Sequence, residues 1–184
     1  MEPATSMLTF HFEEIGSTSD EAKRLIVEHA DQIVLVWADT QTQSRGSHGR
    51  SWKSPQGGAW FSLAVPMPRP EAATPVVVGE ALIETLSSYC DGLTLKHPND
   101  ILRHGKKLVG ILCEQTLSAG RSPEEQPPTT VIVGVGINAN FAASELGDDL
   151  RTPPTSLRDI LGHDVDLNEL IQASAKTILA RLRP

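Results

Sequence analysis

Two uninterrupted apolar runs, IVLVWA (33–38) and AWFSLAV (59–65), constrain the fold more than anything else in the chain. Each is too short for an ordinary helix and lacks the alternation of a strand with one wet face, so each reads as a strand buried in a sheet. The run TTVIVGVGINAN adds a third such strand, with glycines at 134 and 136. LTFHFEEI sets Leu8, Phe10 and Phe12 against Thr9, His11 and Glu13, the period of a half-buried strand. LTLKH, the turn PND, and a hairpin through RHGKK into KLVGILCEQT supply the rest of the sheet.

Helices fall between these runs. In STSDE, Thr18 and Glu21 have capping-box spacing, and Ala22, Leu25, Ile26 and His29 then share one helical face. PVVVGEALIETLSSYC opens on Pro75 and reads as a second helix. TSLRDILG and DLNELIQASAKTILARL are helical by period, with Thr155 and either Asp166 or Asn168 as caps. SAGRSPEEQPP reads as an exposed connection. Strands outnumber helices and include adjacent hairpins, so the expected fold is α+β: a mixed, mainly antiparallel sheet with helices on one side. With 184 residues, no internal repeat and no long linker, residues 1–184 are expected to form one domain.

Composition narrows the function. Hydrophobic residues make up 39% and charged ones 21%, an ordinary globular mixture, and MEPATSMLTF has neither a basic leader nor an apolar run, so a cytoplasmic location is expected. Cys90 and Cys113 lie in apolar segments and read as reduced core thiols. The six histidines show no metal-ligand spacing. A formal charge of -7 argues against nucleic acid or anionic lipid as a partner.

Against that acidic background, residues 41–63 hold three cations and four glycines but no acid. Gly46 and Gly49 let backbone amides approach a ligand, and Arg45, Arg50 and Lys53 suit phosphate or carboxylate oxygens, so this loop reads as an anion cradle. In KHPNDILRHGKKLVGIL, Pro98 fixes a turn, Asn99 and Asp100 follow, and Lys96 and Lys107 bracket the hairpin. The glycines of GVGIN suggest close approach by another backbone or a ligand. Trp60 reads as core, and Trp52 as an apolar floor for a ligand.

Taken in order, STS, QSRGSHGRSWKSPQGG, KHPNDILRHGKKLVGIL, GVGINAN and TSLRDILG resemble the catalytic domain of biotin protein ligases, whose superfamily also holds lipoate ligases and octanoyl transferases. The resemblance implies a class II synthetase-like domain with ATP, Mg2+ and biotin as reactants. It implies formation of biotinyl-5'-AMP, then transfer to a lysine of the biotin carboxyl carrier protein of a biotin-dependent carboxylase. Carried over residue by residue, it places Ser17, Thr18, Ser19, Gln41, Arg45, Gly46, Ser47, Lys107 and Gly110 at biotin. Arg45, Arg50, Trp52, Lys96, Asn99, Asp100, Lys107, Gly136 and Asn138 fall at the nucleotide. Arg45, Lys107 and Asp100 would carry the chemistry, with no protein-bound metal site. The alternatives are a lipoate or other acyl-acid ligase, and a non-catalytic module that binds biotin or its adenylate.

The chain departs from the family pattern at Ser44 and Ser47, where many members have glycine and a second arginine, and at His97, where many have tryptophan. A missing cation at 47 implies weaker retention of the adenylate. Neither a winged-helix DNA-binding segment nor a C-terminal β-barrel is expected in residues 1–184, and an edge strand offers a route to a homodimer.

Overall fold

A computed structural model describes residues 7–29, 32–67, 73–117, 129–147 and 150–182. The connection SAGRSPEEQPP and the first six residues lie outside them. Seven strands form one sheet in the order β1-β2-β3-β7-β6-β5-β4. They are β1 (Met7–Ile15), β2 (Ile33–Gln41), β3 (Ala59–Met67), β4 (Leu93–Lys96), β5 (Asp100–Arg103), β6 (Lys106–Leu117) and β7 (Thr129–Ile137). β1 pairs with β2 in parallel, and every other neighbouring pair is antiparallel. This is the mixed, mainly antiparallel sheet that the strand pattern predicts.

The helices are α1 (Thr18–Leu25), α2 (Thr74–Leu86), α3 (Leu157–Leu161) and α4 (Leu167–Leu182). They do not all lie on one side, as the pattern suggested. Ile33, Leu35, Phe61 and Leu63 pack into one core with Leu82 and Leu86 of α2 and Leu170 and Ile178 of α4. The alternate residues Val34, Val36, Ala64 and Ile132 point the other way and meet Ala22, Leu25 and Ile26 around α1. That is why the central runs are apolar without interruption: both faces are dry. A parallel β1–β2 pair also demands a crossover, which α1 provides.

Two helix starts lie one residue from their expected positions, each for a tertiary reason. Ser17 caps α1, accepting from the Asp20 amide, because the Thr18 amide and hydroxyl are both turned toward Gln41. Ser156 caps α3, because the Thr155 amide donates to the Lys107 carbonyl and is held beside the sheet. At α4 it is Asp166, not Asn168, that accepts from the Glu169 amide. Among the described residues no helix is long and apolar enough to cross a membrane.

α1 has eight residues, a length of about 12 Å, too short to span its face of the sheet. It packs on β2, β3 and the near part of β7, and Phe10, Phe12 and Ile15 of β1 join the same cluster. The remainder of that face, over β7, β6 and β5, is left to the loops.

Candidate active site

A cavity of about 870 Å³ occupies the space beyond α1. Every residue that the family resemblance places at biotin or the nucleotide lines it, Arg45 and Lys107 included, whereas Gly49 of the basic loop does not. Four chain segments converge there: the start of α1, the β2–β3 loop, the β4–β5 turn with the beginning of β6, and the chain after β7. Volumes of about 300–1,000 Å³ are usual for small-molecule sites.

The β2–β3 loop is built, not slack. Gln41 bridges Ser54 and Arg45 bridges Ser51 across its two arms, and the Gly46 amide donates to the Arg50 carbonyl at 2.7 Å. A single 3₁₀ turn, Ser47–Gly49, closes the tip, with Gly49 at φ 72°, a conformation that favours glycine. Ser47 Oγ accepts from Asn99 Nδ2 at 2.7 Å and so ties the tip to the PND turn.

At one end of the cavity the wall is polar and almost dry. Ser17, Thr18, Ser19 and Ser44 line the cavity and are buried, and the buried Ser54 and wholly buried Ser62, which do not line it, are hydrogen-bonded to them or to Gln41. Thr18 donates to Gln41 Oε1 from its amide at 2.8 Å and from its hydroxyl at 3.1 Å. Gln41 Nε2 donates to Ser54 Oγ at 2.9 Å, and Ser62 Oγ lies 2.8 Å from Thr18 Oγ1 and 2.9 Å from Ser19 Oγ. Sequence reasoning missed Ser62. The signal was there, since one hydroxyl inside the apolar run AWFSLAV has to find partners.

At the other end the cations gather. Lys107 Nζ donates to Asp100 Oδ1 at 2.7 Å, both side chains being about one-fifth exposed, and it stands 4.9 Å from the centroid of the Trp52 ring. Lys53 Nζ donates to the Leu146 carbonyl at 2.6 Å, and Lys96 Nζ to Thr152 Oγ1 at 3.2 Å. The segment around Thr152 and Pro154, another part of the wall that sequence did not reveal, runs beside Lys107 through the Lys107 amide and the Pro153 carbonyl. Arg45 reaches across to α1, where its guanidinium grips the Asp20 carboxylate with both terminal nitrogens, one at 2.8 Å. That hydrogen bond holds the Asp20 carboxyl below the usual carboxylate range and raises Arg45 in turn.

The glycines of β6 and β7 have a specific use. Gly110 and Gly136 are register partners, and Cβ atoms there would meet the Trp52 ring at 2.6 Å and 2.8 Å. The close approach anticipated for GVGIN is therefore made by an indole at Gly136, whereas at Gly134 a Cβ would lie 2.8 Å from Ser19 Oγ. Trp52 Nε1 and Asn138 Oδ1 are buried with no hydrogen-bond partner among the described residues. Asn138 is fixed by its other end, donating from Nδ2 to the Thr155 carbonyl at 2.9 Å. Trp60 is fully buried, as expected of a core residue, and donates to the Pro55 carbonyl. Cys90 and Cys113 are free thiols, and burial pushes Cys113 up to about 12.

Residues 12–138 match the model of the biotin/lipoate A/B protein ligase family. The chain is 36% identical over 166 residues to the bifunctional ligase/repressor BirA of Bacillus subtilis, covering 86% of this chain and 48% of that protein. It is 35% identical over 172 residues to a biotin--[acetyl-CoA-carboxylase] ligase of Paracoccus denitrificans, covering 86% and 66%. Among solved structures, the biotin protein ligase of Aquifex aeolicus in complex with biotin and ATP superposes with a TM-score of 0.76 at 29% identity, over 95% of this chain and 70% of that one. The chain thus spans about half the length of the Bacillus relatives it matches.

Proposed function

The chain belongs to the biotin/lipoate A/B protein ligase family, and we propose that it joins biotin to a carrier protein in two steps. In the first, a biotin carboxylate oxygen attacks the α-phosphorus of ATP; the bond to the bridging oxygen breaks and pyrophosphate leaves, giving biotinyl-5'-AMP. In the second, the amine of a carrier-protein lysine attacks the acyl carbon, the C–O bond to phosphate breaks, AMP leaves and the amine gives up a proton. The attacking groups belong to the substrates, so no nucleophilic side chain is required. The protein's task is to bring two anions together and shield the product from water.

The observation that carries this reading is the shared cavity of Arg45 and Lys107, lined at its far end by buried hydroxyls and an amide. Two fixed cations suit the carboxylate and the α-phosphate, and a dry polar wall suits a ring with its own donors and acceptors. The unpaired Asn138 Oδ1 supplies an acceptor for a nucleobase amino group. Asp100 holds Lys107 through one carboxylate oxygen, and in the second step its other oxygen orients the incoming amine. Among the described residues no group of three or more His, Cys, Asp or Glu is placed to hold a metal ion. Mg2+ accompanying ATP would accordingly be carried by phosphate oxygens, a common arrangement for this ion, and would neutralise charge there.

The polar wall favours biotin over lipoate, whose dithiolane ring offers no N–H or C=O. The proposed partner is the biotin carboxyl carrier protein of a biotin-dependent carboxylase. Pyrophosphate release on adding MgATP with biotin or with lipoate tests the reading. Release with biotin alone supports it; release with lipoate alone moves the chain to the other branch of the family; release with neither refutes ligation.

A further inference from the structure

Ser19, Ser62, Thr18, the Gln41 amide, Ser54 and Ser44 form one hydrogen-bonded run at and behind the polar wall, and only one direction of proton donation satisfies every link. The fixed point is the Thr18 backbone N–H, which cannot turn round and which donates to the Gln41 side chain. The receiving end must be the carbonyl, so the amide is oriented with Nε2 toward Ser54. Oε1 carries no hydrogen, so the Thr18 hydroxyl donates to it. That spends the one proton of Thr18, and the contact with Ser62 must use the proton of Ser62. Ser62 is then spent as well, and its contact with Ser19 uses the proton of Ser19. At the opposite end Ser44 donates to the Trp52 carbonyl, so the Ser54–Ser44 link takes its proton from Ser54.

We propose that Ser62 determines ligand specificity as a positioning residue: by taking the Ser19 proton it leaves Ser19 at the cavity wall as an acceptor only, matched to a ligand ring that bears N–H. Gln41 keeps its second Nε2 hydrogen, a donor for a carbonyl in the same ring. The wall is complementary to a cyclic urea or amide and offers nothing to a dithiolane. This deepens the ligase reading above and rests on it for the identity of the bound acid.

The placement of Ser62 supports a dedicated role. It has no solvent exposure, and its neighbours in β3 are Phe61 and Leu63, both core residues. A hydroxyl there costs desolvation that alanine would not, so packing alone does not call for it. Its register partner in β7 is Gly134, where a Cβ would come within 2.8 Å of Ser19 Oγ and 3.7 Å of Ser62 Oγ. Three elements therefore meet at this point only because one of them has no side chain.

Two measurements test the proposal. Neutron diffraction from crystals of the ligand-free protein in heavy water shows the deuterons directly. The expected map has the Ser19 deuteron aimed at Ser62 and the Ser62 deuteron aimed at Thr18; the reverse order overturns the proposal. Calorimetric titration of biotin and of lipoate into wild type, Ser62→Ala and Ser62→Thr reads the consequence. Ser62→Ala is expected to weaken biotin about tenfold while leaving the KM for MgATP unchanged, and Ser62→Thr, which keeps the hydroxyl, to recover most of the loss. Biotin binding to Ser62→Ala at wild-type strength, or equal binding of lipoate and biotin by wild type, overturns the specificity role. Wild type that binds neither acid, with the deuterons placed as stated, sinks the ligase reading and the matching ring together and leaves only the proton order standing. Should Ser62→Ala fail to fold, the neutron map and the threonine variant still decide.

Discussion

Replacing Lys107 by methionine keeps the apolar stem and removes the ammonium, and the structure fixes what that should cost. Two effects must be separated. The Lys107–Asp100 pair is about one-fifth exposed on each side, between the surface case and the fully buried one. Removing one partner there should cost about 2 kcal/mol of stability, intermediate between about 0–1 for an exposed pair and about 3–5 for a buried one. Loss of the contact with the Trp52 ring, 4.9 Å away, adds about 0.5–1 kcal/mol. Separately, loss of a cation at the developing charge on phosphorus should cost about 2–4 kcal/mol of barrier stabilisation, or about 30- to 900-fold in kcat. Urea denaturation reads the first effect and pyrophosphate release at saturating biotin and MgATP the second. Lys107→Met/Asp100→Asn tells them apart: with no orphaned carboxylate it should regain most of the stability and none of the rate. A Lys107→Met enzyme within about threefold of wild-type kcat refutes the electrostatic argument, as does a double variant that recovers the rate.

Three further outcomes are expected. Gly136→Ala drives a Cβ into the Trp52 ring at 2.8 Å and should lose about 1–3 kcal/mol in urea denaturation, and Trp52→Ala in the same chain should abolish that penalty. Ser47→Arg replaces the hydroxyl that accepts from Asn99 with a cation at the adenylate and should reduce biotinylation of bystander proteins; equal labelling by both enzymes contradicts it. The Asp20 carboxyl is depressed in the folded state by its bond to Arg45, so its contribution is present above the ordinary value of 3.8 and is lost as pH falls through the lower folded value. Asp20→Asn should therefore be less stable than wild type at pH 7, by less than about 1 kcal/mol because the pair is largely exposed, and that gap should close in acid denaturation below pH 3.8.

The sheet was readable because its evidence is local: an apolar run bounded by turn residues needs no partner to be recognised as a strand. Its order was not, since no short stretch says that β7 slips between β3 and β6, and that insertion brings Gly134 beneath Ser19. The helix caps were misplaced by one residue for the same reason. Thr18 and Thr155 carry good capping side chains, but Gln41 and Lys107, far away in sequence, had already engaged their amides. The basic loop and the PND turn could be singled out from composition and spacing as a candidate anion cradle, and Arg45, Arg50, Asn99 and Asp100 do line one cavity. What spacing concealed were the counter-charges and the supports. Sequence reasoning singles out neither Asp20 nor Ser62; it is the fold that sets Arg45 and Thr18 against them.

The hydrogen bond from Lys53 to the Leu146 carbonyl joins residues 93 positions apart, on the two flaps that border the cavity. The Asn140 amide, donating to the Gly57 carbonyl at 2.6 Å, adds a second stitch between them. Flaps sewn together in this way cannot part company independently: whichever peels back first tugs on its neighbour. Entry and exit of a ligand should accordingly register as one concerted relaxation, reported with the same time constant by probes on either side of the stitch.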